Sequence, residues 1–440
     1  MYRDYKVIFS VFAGRRDRME LLLKNVDRFV KDGMVDEVHL WDYCRNETDR
    51  TWLRSLPLSL LTTGDEYAYS GYTPVHDTQT TYAFTVRGVK NDVSVLLTTP
   101  EGIEYELVLG GWDNTNSVFR KGKQTAALVS NEDIRLNPSG PNSVGLDWSA
   151  PGVLTVKVNE SAAWDIPFDS SISTIAHSTG WGNAGVYDFS GPKTGPYKYC
   201  KPTSQWHSYY GHYATYRDTL YTNTIVIKSD DDIVHMGSSE EFKKFLDFRV
   251  DHPEFSLVFP NIINNGVAAY FQNQRGLLDV DVEDTMPSLG GKLWDSASIA
   301  RRVHDIYLKD PSVFTYDGYE TIPPKHRVSI NFFAVLPSFL ETFPAAGDDD
   351  EHFLTVVHPG EKAVFNGFTV AHLSFHSQDA EIGTEELLAQ YKELSGQEKK
   401  EQVDPVVVET VPVVVETPVV VETVPVAPKK RGRKKKEVVL

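Results

Sequence analysis

The stretch Thr224-Ile225-Val226-Ile227-Lys228-Ser229-Asp230-Asp231-Asp232-Ile233-Val234 places three consecutive carboxylates directly after an apolar run. Residues Ile225 to Lys228 have the composition of a central strand, and open α/β sheets bind ligands beyond the carboxyl ends of their strands. Adjacent aspartates repel one another unless a positive charge lies among them, and a hard divalent cation would supply it. Asp230 to Asp232 therefore predict a metal site. The alternative is an acidic turn before a helix that begins near Ser238.

The N-terminal residues predict a βαβ unit. Tyr5 to Val11 has the pattern of a buried strand, and a loop over residues 12–16 precedes a helix that ends at Gly33. Asp17 and Glu20 have the spacing of a capping box at the start of this helix. Val35 to Trp41 follows as a second strand.

Polar residues beside these two strands suit a nucleotide. Arg15 and Arg16 could contact a diphosphate, and Asp42 could accept hydrogen bonds from a base or a ribose. Taken alone, these residues favour the simpler alternative of an α/β half with surface arginines.

Residues 65–189 change to short alternating runs between turn residues, which predicts an all-β sandwich. The candidate strands are Thr81 to Val86, Val93 to Thr98, Tyr105 to Leu109, Val153 to Val158 and Ile172 to His177. Glu104 to Thr115, Ser117 to Arg120 and Ser178 to Gly182 resemble the domain named after farnesoic acid O-methyltransferase. A glycine-rich methyl-donor loop is missing, so the resemblance implies a binding or structural domain. Trp112 and Trp181 are candidate stacking rings for carbohydrate, but sandwich core is the more frequent environment of a tryptophan and is favoured for both.

The α/β pattern resumes after residue 190, so the β module is an insertion. A helix is predicted over Ser239 to Arg249 and a strand over Phe255 to Phe259. The loop Pro260 to Gly266 is polar and suits a hydroxyl-rich ligand. Further motifs follow in the order Ser329 to Phe333, Gly347 to Glu351 and Phe368 to Phe375.

In this order the motifs resemble the GT-A glycosyltransferases, in particular a group from large algal viruses and fungi, over roughly residues 1–60 and 190–380. The fold implied is α/β: a GT-A, Rossmann-like catalytic domain interrupted by the all-β sandwich, with a disordered C-terminal tail. The predicted parts are 1–62 and 190–395 for the catalytic domain, 65–189 for the insertion and 396–440 for the tail.

The resemblance also assigns roles to individual residues. Asp230 and Asp232 would be the DxD pair and His372 a distal ligand of Mn²⁺ or Mg²⁺, of which imidazole suits Mn²⁺ better. The implied donor contacts are Phe12, Ala13, Arg15, Asp42, Asp230 and Asp231. The implied source of the catalytic base is the run Asp349, Asp350 and Glu351. Inversion with Asp350 as the base is favoured, and retention stays open.

Composition and charge restrict the kinds of site, the cellular compartment and the partners that we expect for the protein. Its 440 residues contain two cysteines, Cys44 and Cys200, which argues against a disulfide scaffold and a cysteine zinc site. No run has the apolar length of a membrane span, and the N-terminus lacks the apolar core of a signal peptide, so a soluble, cytoplasmic protein is expected. The net charge is −17, and residues 429–436 contribute +7, which leaves −24 for the rest. Nucleic-acid binding is therefore expected only through the basic tail.

The last residues repeat Pro-Val-Val-Val-Glu-Thr with variations, which predicts a disordered, extended linker. Pro428 to Lys436 resembles a nuclear-localisation signal or a minor-groove hook, and a generic polycationic tail is an equal alternative.

The expected function is transfer of a sugar from a nucleotide-diphosphate sugar to a hydroxyl of a glycan or glycoprotein. A non-catalytic carbohydrate-binding protein is the alternative, and it leaves the carboxylates without a role. A nuclear or DNA-associated protein is a third class, and it rests on the tail alone.

Overall fold

The elements of the described chain form an α/β part and a β module. The computed structural model describes residues 1–56, 58–62, 69–76, 78–180, 184–189, 196–200, 210–217, 221–289, 291–343 and 349–396. The first strands are β1 Lys6–Ala13, β2 Glu37–Asp42, β3 Ser59–Thr62, β4 Ser70–Pro74, β5 Thr81–Arg87, β6 Val93–Thr98, β7 Glu104–Gly110, β8 Asn116–Lys121, β9 Ala127–Asn131, β10 Asn142–Asp147 and β11 Val153–Val158. The later strands are β12 Trp164–Pro167, β13 Thr174–Thr179, β14 Gly185–Asp188, β15 Tyr197–Cys200, β16 Thr224–Asp230, β17 Ile233–Met236, β18 Leu257–Ile263, β19 Tyr319–Ile322, β20 Phe332–Val335 and β21 Lys362–His372. The helices are α1 Arg16–Lys31, α2 Glu47–Ser55, α3 Gly111–Asn114, α4 Tyr210–Thr215, α5 Ser239–Asp251, α6 Gly266–Gln274, α7 Gly291–Asp295, α8 Ala297–Lys309, α9 Asp350–His352 and α10 Thr384–Leu394.

A mixed sheet runs in the order β15-β2-β1-β16-β20-β18-β21-β17, with β19 paired to β21. Strands β15, β2, β1 and β16 are parallel, and β20 is antiparallel to β16. Strand β16 is buried along its length up to Asp230, as expected for a parallel strand covered on both faces. Phe12 pairs with Asp230, and Ala13 pairs with Asp42. The carboxyl ends of β1, β2 and β16 therefore meet at one edge of the sheet.

The β module is a sandwich of two sheets. One contains β12-β11-β10-β5-β14-β3 and continues the mixed sheet through the parallel pair β3 and β15. The other has the order β4-β13-β6-β7-β8-β9. His177 of β13 packs on Phe84 and Tyr187 of the facing sheet, with ring centroids 4.8 Å from each. A mixed α/β protein with a β-sandwich-like module is confirmed, and the exact domain limits stay predictions.

The predicted strands mostly agree with the observed ones, but two details of the βαβ opening were wrong. Phe12 and Ala13 belong to β1 and Arg16 to α1, so the predicted loop shortens to two residues. Helix α1 has Arg15 as its N-cap without a side-chain cap, and Glu20 instead accepts a hydrogen bond from Arg16 at 2.8 Å. The capping box between Asp17 and Glu20 is therefore absent from this helix.

Trp112 contradicts the core interpretation, because its side chain is 58% exposed. Trp181, the aromatic residues 206–209 and the tail from 397 onward lie outside the described residues. Among the helices described, none combines the length and the apolar character that crossing a membrane requires.

Candidate metal centre

Asp230, Asp232 and His372 come together at the sheet edge where β16 and β21 end. One ligand atom from each lies within 4.8 Å of the others. Asp232 and His372 are almost fully buried, and Asp230 is partly exposed. Two carboxylates and an imidazole are a donor set that suits Mn²⁺.

The His372 imidazole is oriented by the backbone. Its Nδ1 donates a hydrogen bond to the main-chain carbonyl oxygen of Asn264 at 3.3 Å, which leaves Nε2 facing Asp232 Oδ1 at 3.4 Å. Asp232 Oδ1 is buried and has no hydrogen-bond partner among the described residues. Two facing lone pairs need a cation between them, either a second proton on the imidazole or a metal ion. The pair therefore fits a divalent cation.

Two further side chains hold the carboxylate of Asp230. Lys228 donates a hydrogen bond to Asp230 Oδ1, and Asn331 Nδ2 lies 3.3 Å from Oδ2. Asn265 Nδ2 in turn donates to the Asn331 side-chain oxygen at 3.1 Å. Partners of this kind fix the orientation of a ligating carboxylate.

Two arginines of the α1 region also compensate the negative charge of Asp231 and Asp232. Arg15 pairs with Asp231 and lies 2.9 Å from Asp232, while Arg18 lies 3.3 Å from Asp232. Burial opposes ionisation of Asp232, but the field of His372, Arg15 and Arg18 outweighs it and holds the Asp232 pKa well below its usual range. The positive charge that the sequence requires is thus partly supplied by the protein itself.

Gly14 allows this close approach of the α1 loop. Its N–H donates to Asp231 Oδ2 at 3.1 Å, and a Cβ at this position would lie 2.8 Å from the same oxygen. A larger residue would push the loop and the triplet apart.

A cleft of about 320 Å³ opens over the centre. Of the residues predicted from the sequence, those that line it are Phe12, Arg15, Asp230, Asp231, Asp232, Asp350, Glu351 and His372. Ala13 and Asp42 lie at the same sheet edge without lining the cleft. The Asp42 carboxylate instead accepts a hydrogen bond from Tyr199 at 2.6 Å and pairs with Arg50 at 3.3 Å.

The acidic run divides into two environments. Arg327 pairs with Asp349 at 3.0 Å and with Glu351 at 2.8 Å, and Asp349 also caps α9. Asp350 has no arginine partner, and its buried carboxylate lies beside the Tyr213 hydroxyl and the Lys228 ammonium. Burial raises the pKa of Asp350 to about 6 against the opposing effect of Lys228. Burial likewise raises the pKa of Glu351 to about 7, against Arg327.

The asparagine loop was wrongly predicted to face a ligand. Asn261, Asn264 and Asn265 are all buried, and Pro260 to Ile263 belong to β18. Their amides bond within the protein, and Asn265 also caps α6 by accepting from Ala268 N–H. The loop therefore supports the candidate metal centre through the hydrogen bonds of Asn264 with His372 and of Asn265 with Asn331.

Sequence reasoning missed several residues of the site. Lys228 and Arg18 bind the triplet, while Trp294 and Phe375 line the cleft with ring centroids 4.2 Å apart. The only local signal was Lys228, a charged residue inside an apolar strand.

Comparison with known proteins covers the β module. The family model described as farnesoic acid O-methyl transferase matches residues 63–193, which confirms that resemblance for under a third of the chain. No curated protein matched. The resemblance of the other residues to GT-A glycosyltransferases stays a prediction.

Three of the solved structures that are similar to this chain each cover under a third of it. A tetrameric galectin from the ball sponge Cinachyrella sp. is 14% identical over 27% of this chain and 97% of its own, with a TM-score of 0.22. The carbohydrate-binding module CBM66 from Bacillus subtilis is 9% identical over 27% of this chain and 75% of its own, with a TM-score of 0.21. Chicken galectin 2 is 10% identical over 28% of this chain and all of its own, with a TM-score of 0.22. Similarity at this level says nothing about the function of the chain.

Proposed function

We propose that this chain is a metal-dependent glycosyltransferase of the GT-A type, which moves a sugar from a nucleotide-diphosphate sugar to a hydroxyl of a glycan or glycoprotein. The observation that carries the proposal is the unpartnered Asp232 Oδ1 opposite His372 Nε2, in a cleft that also contains Asp350. A metal site and a separate buried carboxylate are the two groups that this reaction needs.

Asp230, Asp232 and His372 would hold Mn²⁺ or Mg²⁺. When bound, the ion would act as a Lewis acid on the departing diphosphate. Phe12, Arg15, Asp230 and Asp231 are the donor contacts that we propose within the cleft. Arg15 is suited to this role, because its guanidinium is partly exposed there and can form paired hydrogen bonds with phosphate oxygens. Ala13 and Asp42 stay as proposed donor contacts at the adjacent strand ends.

Asp350 is the proposed base. A raised pKa brings a carboxylate closer to the range in which it accepts a proton near neutrality. Asp349 and Glu351 are less suited, because both pair with Arg327. With Asp350 as the base that activates the acceptor hydroxyl, the reaction inverts the anomeric configuration.

An aromatic wall suits a sugar acceptor. Trp294 packs on Phe375, and Phe375 lies 4.5 Å from the His372 ring between centroids. Trp294 is partly exposed and lines the cleft, so its ring could stack on an acceptor sugar beside the metal ligands.

The direct test measures hydrolysis of a panel of sugar nucleotides, with Mn²⁺, with Mg²⁺ and after chelation by EDTA. We expect turnover of at least one donor that EDTA abolishes and added Mn²⁺ restores. Turnover that EDTA leaves unchanged would contradict the proposed role of the metal. Absence of turnover for every donor would favour the alternative of a carbohydrate-binding protein without catalysis.

A further inference from the structure

A second cavity, of about 360 Å³, lies in the β module. It forms at the end of the six-stranded sheet where β6 begins and β7 ends. Side chains of opposite charge and one large aromatic ring share its lining. The residues that matter here are Asp92, Ser94, Trp112, Asp113, Arg120 and Gln124.

Trp112 is presented to solvent by an unusual backbone. Trp112, Asp113 and Asn114 all have positive φ, between 51° and 61°. A left-handed backbone is strained for residues other than glycine, so the surrounding contacts must hold these three residues in place. The Asn114 side chain does so by bonding both the N–H and the carbonyl oxygen of Leu136 at 2.8 Å. The fold thus keeps a large apolar ring at the mouth of a polar cavity.

Asp92 provides an independent indication of a ligand. Its side chain lines the cavity, yet the residue is only 7% exposed. Among the described residues its carboxylate has no hydrogen bond and no ion pair, and only the more distant charge of Arg120 favours its ionised form. Burial raises the Asp92 pKa to about 6, and the neighbouring Asp113 adds to this rise. A group of this kind is ready to accept hydrogen bonds from a bound molecule.

Arg120 decides between two classes of ligand. It pairs with the buried Glu106 at 3.1 Å, and its guanidinium lies 5.9 Å from the centroid of the Trp112 ring. A fixed positive charge in the lining disfavours a metal cation. A neutral molecule with several hydroxyls could instead donate to Asp92, accept from Arg120 and lay its apolar face on Trp112.

We infer that this cavity binds a neutral sugar residue of a glycan, with Trp112 as the stacking platform and Asp92 as a hydrogen-bond acceptor. The inference is independent of the proposed transferase activity, because binding at this cavity needs neither the metal centre nor turnover. In a glycosyltransferase the cavity would hold part of a glycan acceptor.

The test applies the full-length chain to an array of neutral glycans ending in glucose, galactose, mannose, xylose or rhamnose, and then titrates the best ligand by calorimetry. Trp112→Ala should weaken binding by on the order of tenfold or more, as expected for loss of an aromatic contact. Trp112→Tyr, which keeps a ring, should bind more tightly than Trp112→Ala, and Asp92→Asn should also weaken binding. Leu128→Ala is the matched control, because Leu128 is equally exposed at 58% and lies outside the cavity.

Several outcomes would overturn the inference. One is that the wild type binds no glycan of the array, and another is that Trp112→Ala binds the best ligand as tightly as the wild type does. A third is that Leu128→Ala and Trp112→Ala lose the same amount of affinity. Each of these results would contradict the proposed role of Trp112. Binding of Ca²⁺ alone that Asp92→Asn removes would identify a cation site instead. Asp232→Asn should keep the array pattern, so failure of the transferase proposal is distinguishable from failure of this one.

Discussion

The main-chain carbonyl oxygen of Asn264 lies 3.3 Å from His372 Nδ1 and fixes which nitrogen of the imidazole faces Asp232. The next residue, Asn265, supports the opposite side of the centre through Asn331 and Asp230. Two adjacent asparagines therefore orient both arms of the candidate metal site. Each arm can be tested by a separate substitution.

Asp232→Asn should abolish Mn²⁺ binding, measured by calorimetry, and with it any Mn²⁺-dependent turnover. The amide carries no negative charge, and because Asp232 Oδ2 accepts from Arg15 and Arg18, the amide oxygen would stay on that side and the NH2 group would face the metal. The control is Asp251→Asn, the same chemical change at an exposed position at the end of α5. Undiminished Mn²⁺ affinity in Asp232→Asn would remove the metal site from the proposal.

Asn265→Ala should lower stability by about 1 kcal/mol, since it removes a helix N-cap, and it should also weaken Mn²⁺ binding by freeing Asn331. Ser238→Ala removes a cap of the same kind from α5, at an exposed position that does not line the cleft. We expect both variants to unfold earlier in urea and only Asn265→Ala to lose metal affinity. Equal affinities would show that the asparagine contributes only to stability.

Asp350→Asn should reduce sugar transfer by a factor on the order of a hundred or more, while donor and Mn²⁺ affinities change little. In the wild type, kcat/KM should fall as the pH drops through about 6, because the raised pKa of Asp350 leaves the base protonated below that value. Asp349→Asn, whose carboxylate pairs with Arg327, serves as the comparison. A parallel loss of donor binding and rate in Asp350→Asn would make this residue a donor or metal contact.

Trp294→Ala should raise the KM for the acceptor severalfold and leave donor hydrolysis nearly unchanged, because the ring lies on the proposed acceptor side of the cleft. Steady-state kinetics with the acceptor and the donor varied separately would measure the two effects. An increase in donor KM alone would place the donor, rather than the acceptor, against this wall.

The β module should fold on its own, and more stably when β3 is kept. Strand β14 pairs with β3 through Tyr187 and Leu60, so a segment that begins at residue 65 leaves one edge of β14 unpaired. We expect residues 58–189 to unfold cooperatively at a higher temperature than residues 65–189, as followed by circular dichroism. A disordered product from both segments would mean that the module needs the mixed sheet.

The sequence predicted β16 and its acidic end because an apolar run followed by three carboxylates is a local pattern. Strands β6 and β11 agree with their predicted limits for the same reason. Arg18 escaped notice because its partner Asp232 is more than 200 positions away, and such a pairing has no local signature. The position of His372 came from family resemblance, since a lone histidine after a strand is not specific.

Local rules also misplaced some residues. Trp112 was assigned to the core as the more frequent environment of a tryptophan, but the left-handed turn after Gly110 directs it outward. The cluster Gly110 to Asn114 contains turn-forming residues that could have indicated this reversal. The asparagine loop was assigned to a ligand by composition, although burial and cap formation explain the same residues.

The register between β1 and β16 has a consequence for protein synthesis. Lys6 pairs with Thr224, so the edge of β1 facing β16 stays unpaired until the whole β module has been translated. At about 5–20 residues per second, that interval is roughly ten to forty seconds. During this interval, the unpaired edge of β1 can pair with other nascent chains. Early folding of the β module, beside the short strand β3, would shorten the search that finally joins β16 to β1.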